Sequence, residues 1–292
     1  MAIDREKCSN TKFSMFVISH NAKLSERFVN LLVILHTIAV ILCSTHILVK
    51  YVDDGNASNV STRLFILEMD LPFDANQRFV YESVIISQFF HFLLCSNLVS
   101  VFNAFLISLI LHIGGQIDIL RESLMGIVPK KDKASSSHFT VKEIIKEHQK
   151  IITFSEHIEH LYSYIAMVLF VSDILIICCL GFTIVASISR PDVLKNIIRV
   201  LLYYLSINME AFIFCFAGEY LSAKSKSIGD AAYASLWYES DSKTNRIILF
   251  LIMRSQNQLT ITVGKIMNLS LERFTSIIKT SGSYISVLLA MC

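Results

Sequence analysis

Apolar residues along this chain cluster in long blocks separated by short polar stretches, and the blocks set out its elements. Residues 28–49 form an uncharged apolar run, long enough at about 1.5 Å per residue to cross a hydrocarbon core of about 30 Å. Residues 80–113 are apolar for longer than one crossing needs and continue toward Leu124, so this helix tilts or projects beyond the bilayer. Gly126, Pro129 and the Lys130-Lys131-Asp132-Lys133 cluster then break it. Residues 140–160 are amphipathic and charged; joined to the apolar block 161–188 they predict one long helix whose lower half stands in water. Arg190-Pro191-Asp192 ends it, and 197–221 is the fourth apolar block. A polar stretch at 222–245 carries Ala231, Ala232, Tyr233, Trp237 and Tyr238 at helix-compatible spacing. A short apolar helix, a polar amphipathic connector and a last helix at 274–291 complete five candidate crossings.

Composition supports the same reading. The chain has 292 residues, 53% of them hydrophobic and 17% charged, with 3 prolines; apolar residues gathered in blocks of this length indicate an integral membrane protein. A net charge of +2 with no basic face interleaved with aromatics carries no nucleic-acid signature. Of the 7 cysteines, Cys43, Cys95, Cys178, Cys179 and Cys215 sit inside apolar blocks and read as packing residues, and none lies in a candidate outer loop, so no disulfide framework is implied.

Charge also orients the chain. Residues 1–27, 114–160 and 222–270 hold most of the Lys and Arg, whereas the 50–79 loop is acidic and carries the sequons Asn56-Ala57-Ser58 and Asn59-Val60-Ser61. The positive-inside rule places the N-terminus in the cytosol, Asn56 and Asn59 outside as glycosylation sites, and the C-terminus outside after five crossings.

Candidate chemistry is sparse. His157 and His160 lie three apart on one helical face, a spacing a metal accepts, but a membrane metalloenzyme needs several such clusters and only this one is dense. No metal, cofactor or catalytic residue is expected. Asp173 and Glu210 fall inside apolar blocks, where an acid costs about 2.5 to 3.5 kcal/mol near a helix centre and therefore faces protein or water. In the outward halves of the blocks stand Cys43 and His46, then Phe89, Phe90 and Phe92, then Tyr203, Tyr204 and Ile207. Such residues suit either a pocket for a small apolar molecule or anchoring at the membrane surface. On the last helix Ser276, Thr280, Ser283, Val287 and Met291 share one face at steps of three and four. That stripe fits either small-residue packing in a bundle or a water-facing pore wall shared by several copies.

Certain motifs point to a family. Leu251-Ile252-Met253-Arg254-Ser255-Gln256, then Gly264-Lys265, Leu269-Ser270-Leu271-Glu272, Phe274-Thr275-Ser276-Ile277, Lys279 and Ser283-Tyr284 resemble the C-terminal signature of insect odorant receptors. Leu71-Pro72-Phe73-Asp74 with Tyr81 and Gln88 resembles the family's second outer loop entering its fourth helix, and Tyr233 with Trp237 its cytosolic anchor before the last helix. The resemblance runs along essentially the whole chain in consistent order. Gly282 departs from it, adding about 1 kcal/mol of helix cost relative to Ala.

The resemblance implies an all-α integral membrane protein: five transmembrane helices of a seven-helix inverted-topology bundle, with long cytosolic helix extensions. The first block matches the family's third helix, so two N-terminal spans are expected to be missing. A cytosolic lead-in at 1–27 is followed by a four-helix transmembrane ligand-pocket region at 28–221. A cytosolic anchor segment with a short helix at 222–272 and a pore-lining helix at 273–292 complete the chain. Implied too are a ligand-gated non-selective cation channel formed with the shared odorant co-receptor, a tetrameric hetero-oligomer, and a small volatile ligand. The location implied is the plasma membrane of olfactory sensory neurons. The resemblance assigns the pocket to Cys43, His46, Phe89, Phe90, Tyr203, Tyr204 and Ile207. It assigns the pore to Ser276, Thr280 and Ser283 with a gate at Val287 and Met291, and subunit anchoring to Tyr233, Trp237 and Arg254. The alternative is a truncated, non-conducting product.

Overall fold

A computed structural model describes residues 2–54, 65, 77–126, 141–187, 193–235 and 237–291. Four long helices dominate it: α1 (Ala2–Asp54), α2 (Arg78–Met125), α3 (Val141–Ser187) and α4 (Val193–Ala234). A single 3-10 turn (Trp237–Glu239) leads to α5 (Ser242–Ser255), the strands β1 (Thr262–Val263) and β2 (Met267–Asn268), and α6 (Leu271–Met291). The lead-in and the first apolar block form one uninterrupted helix of 53 residues. At 1.5 Å per residue it is about 80 Å long, more than twice the hydrocarbon thickness.

The long helices need lipid on the outside. Leu31, Ile34, Ile38 and Ile41 of α1, Phe90, Leu94 and Leu98 of α2, and Val168, Val171 and Leu175 of α3 are all exposed. Among the described residues three helical stretches are long and apolar enough to cross a membrane: Lys12–Leu42, Phe79–Met125 and Val141–Thr183. The fourth and fifth expected crossings fall on α4, several of whose early side chains lie outside the described residues, and on α6, which carries Glu272, Arg273 and Lys279.

Side-chain contacts give the helix directions. Asn21 Nδ2 donates to the Leu111 carbonyl, the hydroxyls of Ser25 and Ser108 pair at 2.6 Å, and Ser96 donates to the His36 carbonyl, so α1 and α2 run antiparallel. Within the helices, polar side chains return to their own backbone: Ser44 to Val40, Asn97 to Leu93, Ser100 to Ser96 and Asn208 to Tyr204. Hydrocarbon offers no partner for a free polar group, so this back-bonding lets hydroxyls and amides sit inside a bilayer.

The tightest packing lies toward one end, where the second half of α2, the first half of α3 and the second half of α4 meet α5. Leu106, Ile110, Ile113, Ile117, Leu124, Ile144, Leu221, Ile228 and Ile248 are fully buried there. In the same region Lys224 Nζ reaches both carboxylate oxygens of Asp118 at 2.7 Å, clamping α4 to α2. Toward the other end the helices leave cavities.

The connector before α6 is a β-hairpin that its hydrophobic pattern did not predict. Val263 pairs with Met267, and the turn between them holds Gly264 and Lys265 at φ values of 56° and 61°. Two successive left-handed residues match the right-handed twist of the strands; Gly264 adopts its angle freely, whereas Lys265 does so at a cost. Buried Ser163 of α3 compensates. Its carbonyl accepts the Gly264 N–H at 3.0 Å, and its hydroxyl accepts the Lys265 N–H at 3.1 Å and pairs with Thr262 Oγ1 at 3.0 Å. Thr262 in turn donates to Glu159 at 2.5 Å. Behind the hairpin, Gly218 of α4 lies so close to Leu269 that an added Cβ would stand 2.5 Å from the Leu269 carbonyl oxygen. The hairpin therefore wedges between α3 and α4 and sets where α6 begins.

Candidate functional site

A cavity of about 260 Å³ opens between α1, α2 and α4. One face of each helix lines it: His36, Val40 and Ser44 on α1, Phe92, Ser96 and Val99 on α2, and Ser206, Ile207 and Glu210 on α4. The spacing is three or four residues along α1, along α2 and from Ser206 or Ile207 to Glu210 on α4, one stripe per helix. The wall is mostly apolar with a few hydroxyls and one carboxylate, the composition of a small-molecule pocket.

A second cavity of about 270 Å³ separates α3 from α6, with Asp173, Ile174 and Ile177 facing Arg273, Ser276, Thr280 and Tyr284. Between the two lies a pocket of about 30 Å³, roughly one water's share of liquid volume, bordered by both Asp173 and Glu210. The partners of these acids were not evident from the sequence, and the fold turns them toward each other across α3 and α4. A fourth, polar cavity of about 440 Å³ lies at the start of α6, among Glu219, Gln258, Thr260, Asn268, Ser270 and Glu272. Glu219 there accepts the Leu271 N–H at 3.3 Å, giving an orphan donor at the helix start an anionic partner.

Of the residues expected to form a pocket, Ile207 lines the first cavity and so does Phe92. Phe89 is half-buried, Phe90 is 58% exposed on the outside of α2, and the two rings meet edge to face. Neither borders this cavity. Tyr204 is half-buried on α4. The side chains of Cys43, His46 and Tyr203 lie outside the described residues. His36, Val40, Ser44, Ser96, Val99, Ser206 and Glu210 line the first cavity too, and aromatic residue type does not point to them, because helical phase decides which side chains reach the cavity. The signal available was the three-to-four spacing of small and polar residues within apolar runs.

On α6, Ser276, Thr280, Ser283 and Val287 are all exposed, Val287 at 57%, and the lower two also border the cleft against α3. Thr280 and Ser283 donate to carbonyls four residues back. The Met291 side chain lies outside the described residues. Tyr233 is exposed on the last turn of α4, Trp237 packs partly buried against the main core, and Arg254 is half-buried in the last turn of α5. Phe250 and Met253 of α5 and Ile266 of the hairpin turn are exposed as well. Asp241 caps α5 by accepting the Lys243 N–H at 3.2 Å, and its hydrogen bonds, that from the Thr244 side chain foremost, hold its carboxyl below the usual range. Asn56 and Asn59 lie outside the described residues. His157 and His160 are both exposed, and among the described residues no three His, Cys, Asp or Glu side chains converge as metal ligands.

A family model described as "7tm Odorant receptor" matches residues 5–282 of the chain. The protein belongs to this odorant receptor family. Odorant receptor 10 of Aedes albopictus is 30% identical over 194 residues, which cover 64% of this chain and 49% of that protein. Odorant receptor 22c of Drosophila melanogaster is 30% identical over 146 residues, 50% of this chain and 35% of that protein. The chain thus spans about half or less of the length of these relatives. The structure of the olfactory receptor OR5 from Machilis hrabei in complex with eugenol superposes with a TM-score of 0.72 at 20% identity, covering 97% of this chain and 70% of that one. The helical bundle is therefore an insect olfactory receptor fold. With its long apolar helices, this odorant receptor is a multi-pass membrane protein.

Proposed function

We propose that the chain is an odorant-detecting subunit of a ligand-gated, non-selective cation channel that assembles with the family's shared co-receptor as a tetramer. It acts in the plasma membrane of olfactory sensory neurons, with its N-terminus cytosolic and its C-terminus outside. The observation that carries this reading is the cavity of about 260 Å³ among α1, α2 and α4, apolar enough for a small volatile molecule and bounded by helices that run on into the packed core. The exposed hydroxyl face of α6 supports a pore role for Ser276, Thr280 and Ser283, with Val287 and Met291 as an apolar constriction that gates by dewetting. The exposed tyrosine and apolar side chains around Tyr233 and α5 support subunit contact outside the bilayer, where lipid does not cover them.

The test is co-expression with the co-receptor in oocytes, with inward current recorded across a panel of small volatile molecules. Evoked current is expected when both subunits are present, and Ile207→Trp, which fills the cavity, is expected to remove it. A chain that reaches the surface beside the co-receptor yet yields no evoked current across the panel would instead favour the non-conducting reading.

A further inference from the structure

We infer that the α1–α2–α4 cavity takes a small apolar amine in its protonated form, anchored by Glu210; this rests on the cavity being the ligand site proposed above. Glu210 lies on the wall of that cavity, beside His36, Phe92, Ser96 and Ile207. Among the described residues no Lys or Arg lines the cavity, and Glu210 makes no hydrogen bond or ion pair. A charged neighbour of the same sign stands behind it: Asp173 borders the small pocket that Glu210 shares, and the two repel. Arg273 lines the α3–α6 cleft on the Asp173 side, not the cavity that Glu210 borders. The cavity therefore presents a carboxylate with a second acid behind it and no described counter-cation.

An ammonium group on an apolar body answers each feature. The body fills the apolar wall, and the charge makes a charge-assisted hydrogen bond to a carboxylate whose desolvation the fold has already imposed. Phe92 lines the same cavity, and an aromatic ring within reach of an ammonium adds cation–π attraction. A neutral ligand of equal shape fills the same space and leaves the acid unmatched. Among the described residues His36 and Cys95 are the other titratable groups on this wall. Neutral imidazole gives Glu210 at most one donor and no charge.

Phenethylamine, phenethyl alcohol and ethylbenzene share one apolar body and differ in the polar end. Their binding to the purified full chain in lipid nanodiscs near neutral pH tests the assignment. The amine is expected to bind about tenfold to a hundredfold tighter than the alcohol. Glu210→Gln should bring the two to parity while leaving alcohol affinity within about twofold; Asp173→Asn and His36→Gln should keep the preference. Ile207→Trp should abolish binding of all three, placing them in this cavity. Equal wild-type affinity for amine and alcohol overturns the inference, as does a preference that survives Glu210→Gln or disappears in His36→Gln. If Glu210→Gln yields no folded protein, the wild-type ratio together with Glu210→Asp decides, since a retained carboxylate should retain a reduced preference. Binding of none of the three fails the cavity reading itself, an outcome distinct from binding the alcohol and hydrocarbon alone.

Discussion

Replacing Asp118 with Asn should destabilise this bundle more than replacing its partner Lys224 with Met. Asp118 sits about 60 Å along α2 from Arg78, well past the length that crosses a bilayer. Its carboxylate holds Lys224 Nζ at 2.7 Å through both oxygens and Arg121 Nη1 at 3.4 Å, and the Lys224 ammonium also lies 5.7 Å from the Tyr220 ring centroid. The Lys224 and Asp118 side chains are 24% and 25% exposed, between a surface pair worth about 0–1 kcal/mol and a buried one whose breaking costs about 3–5. Asp118→Asn leaves two cations facing each other with no anion, which places its cost at about 2–3 kcal/mol. Lys224→Met leaves Asp118 still paired with Arg121 and keeps an apolar stem in place, for about 1 kcal/mol. Reversible unfolding of the four proteins of a double-mutant cycle in mixed micelles would measure both, and the exchange of the two residues should recover most of the loss. Equal costs for the two single variants, or a coupling energy below about 0.5 kcal/mol, would refute the reasoning.

Other outcomes follow from single positions. Gly282→Ala meets no atom within 4 Å and should stabilise α6 by about 1 kcal/mol, whereas Gly218→Ala drives a methyl into the Leu269 carbonyl and should cost about 1–3 kcal/mol; thermal stability in detergent should move in opposite directions. Ser163→Ala leaves the Lys265 N–H without its acceptor and should cost about 1–3 kcal/mol, read as faster hydrogen exchange at Lys265 and in β1; unchanged protection there would count against the hub. Val287→Asp should leave the channel leaky without ligand in cells co-expressing the co-receptor, and an unchanged basal conductance would remove Val287 from the gate.

The long helices were legible because lipid demands uninterrupted apolar runs whose backbone satisfies itself, and that demand is written residue by residue. The join of 140–160 to 161–188 and the run of α2 on to Leu124 came from the same argument and match α3 and α2. The hairpin did not: two-residue strands leave almost no periodicity, and one of its two left-handed positions is a lysine. Nor does spacing show that Trp237 packs partly buried against the core while Tyr233 stays out: the helix ends at Ala234 and a 3-10 turn resets the phase.

By itself the sequence determined the membrane class, the extents of α2 and α3 and, through the motifs around Arg254-Ser255-Gln256 and Leu269-Ser270-Leu271-Glu272, the family; the run of α1 back to Ala2 and of α4 on to Ala234 came from the structure. Only the tertiary structure decided which faces look inward. A soluble helix announces its inner face by contrast with a polar outer one, but here lipid is as apolar as the protein core and that contrast vanishes. The stripe through His36, Val40 and Ser44 and the meeting of Asp173 with Glu210 depend on helix rotation and on which helices become neighbours. Those are set by contacts between residues far apart in the chain, such as Asn21 with Leu111 and Asp118 with Lys224.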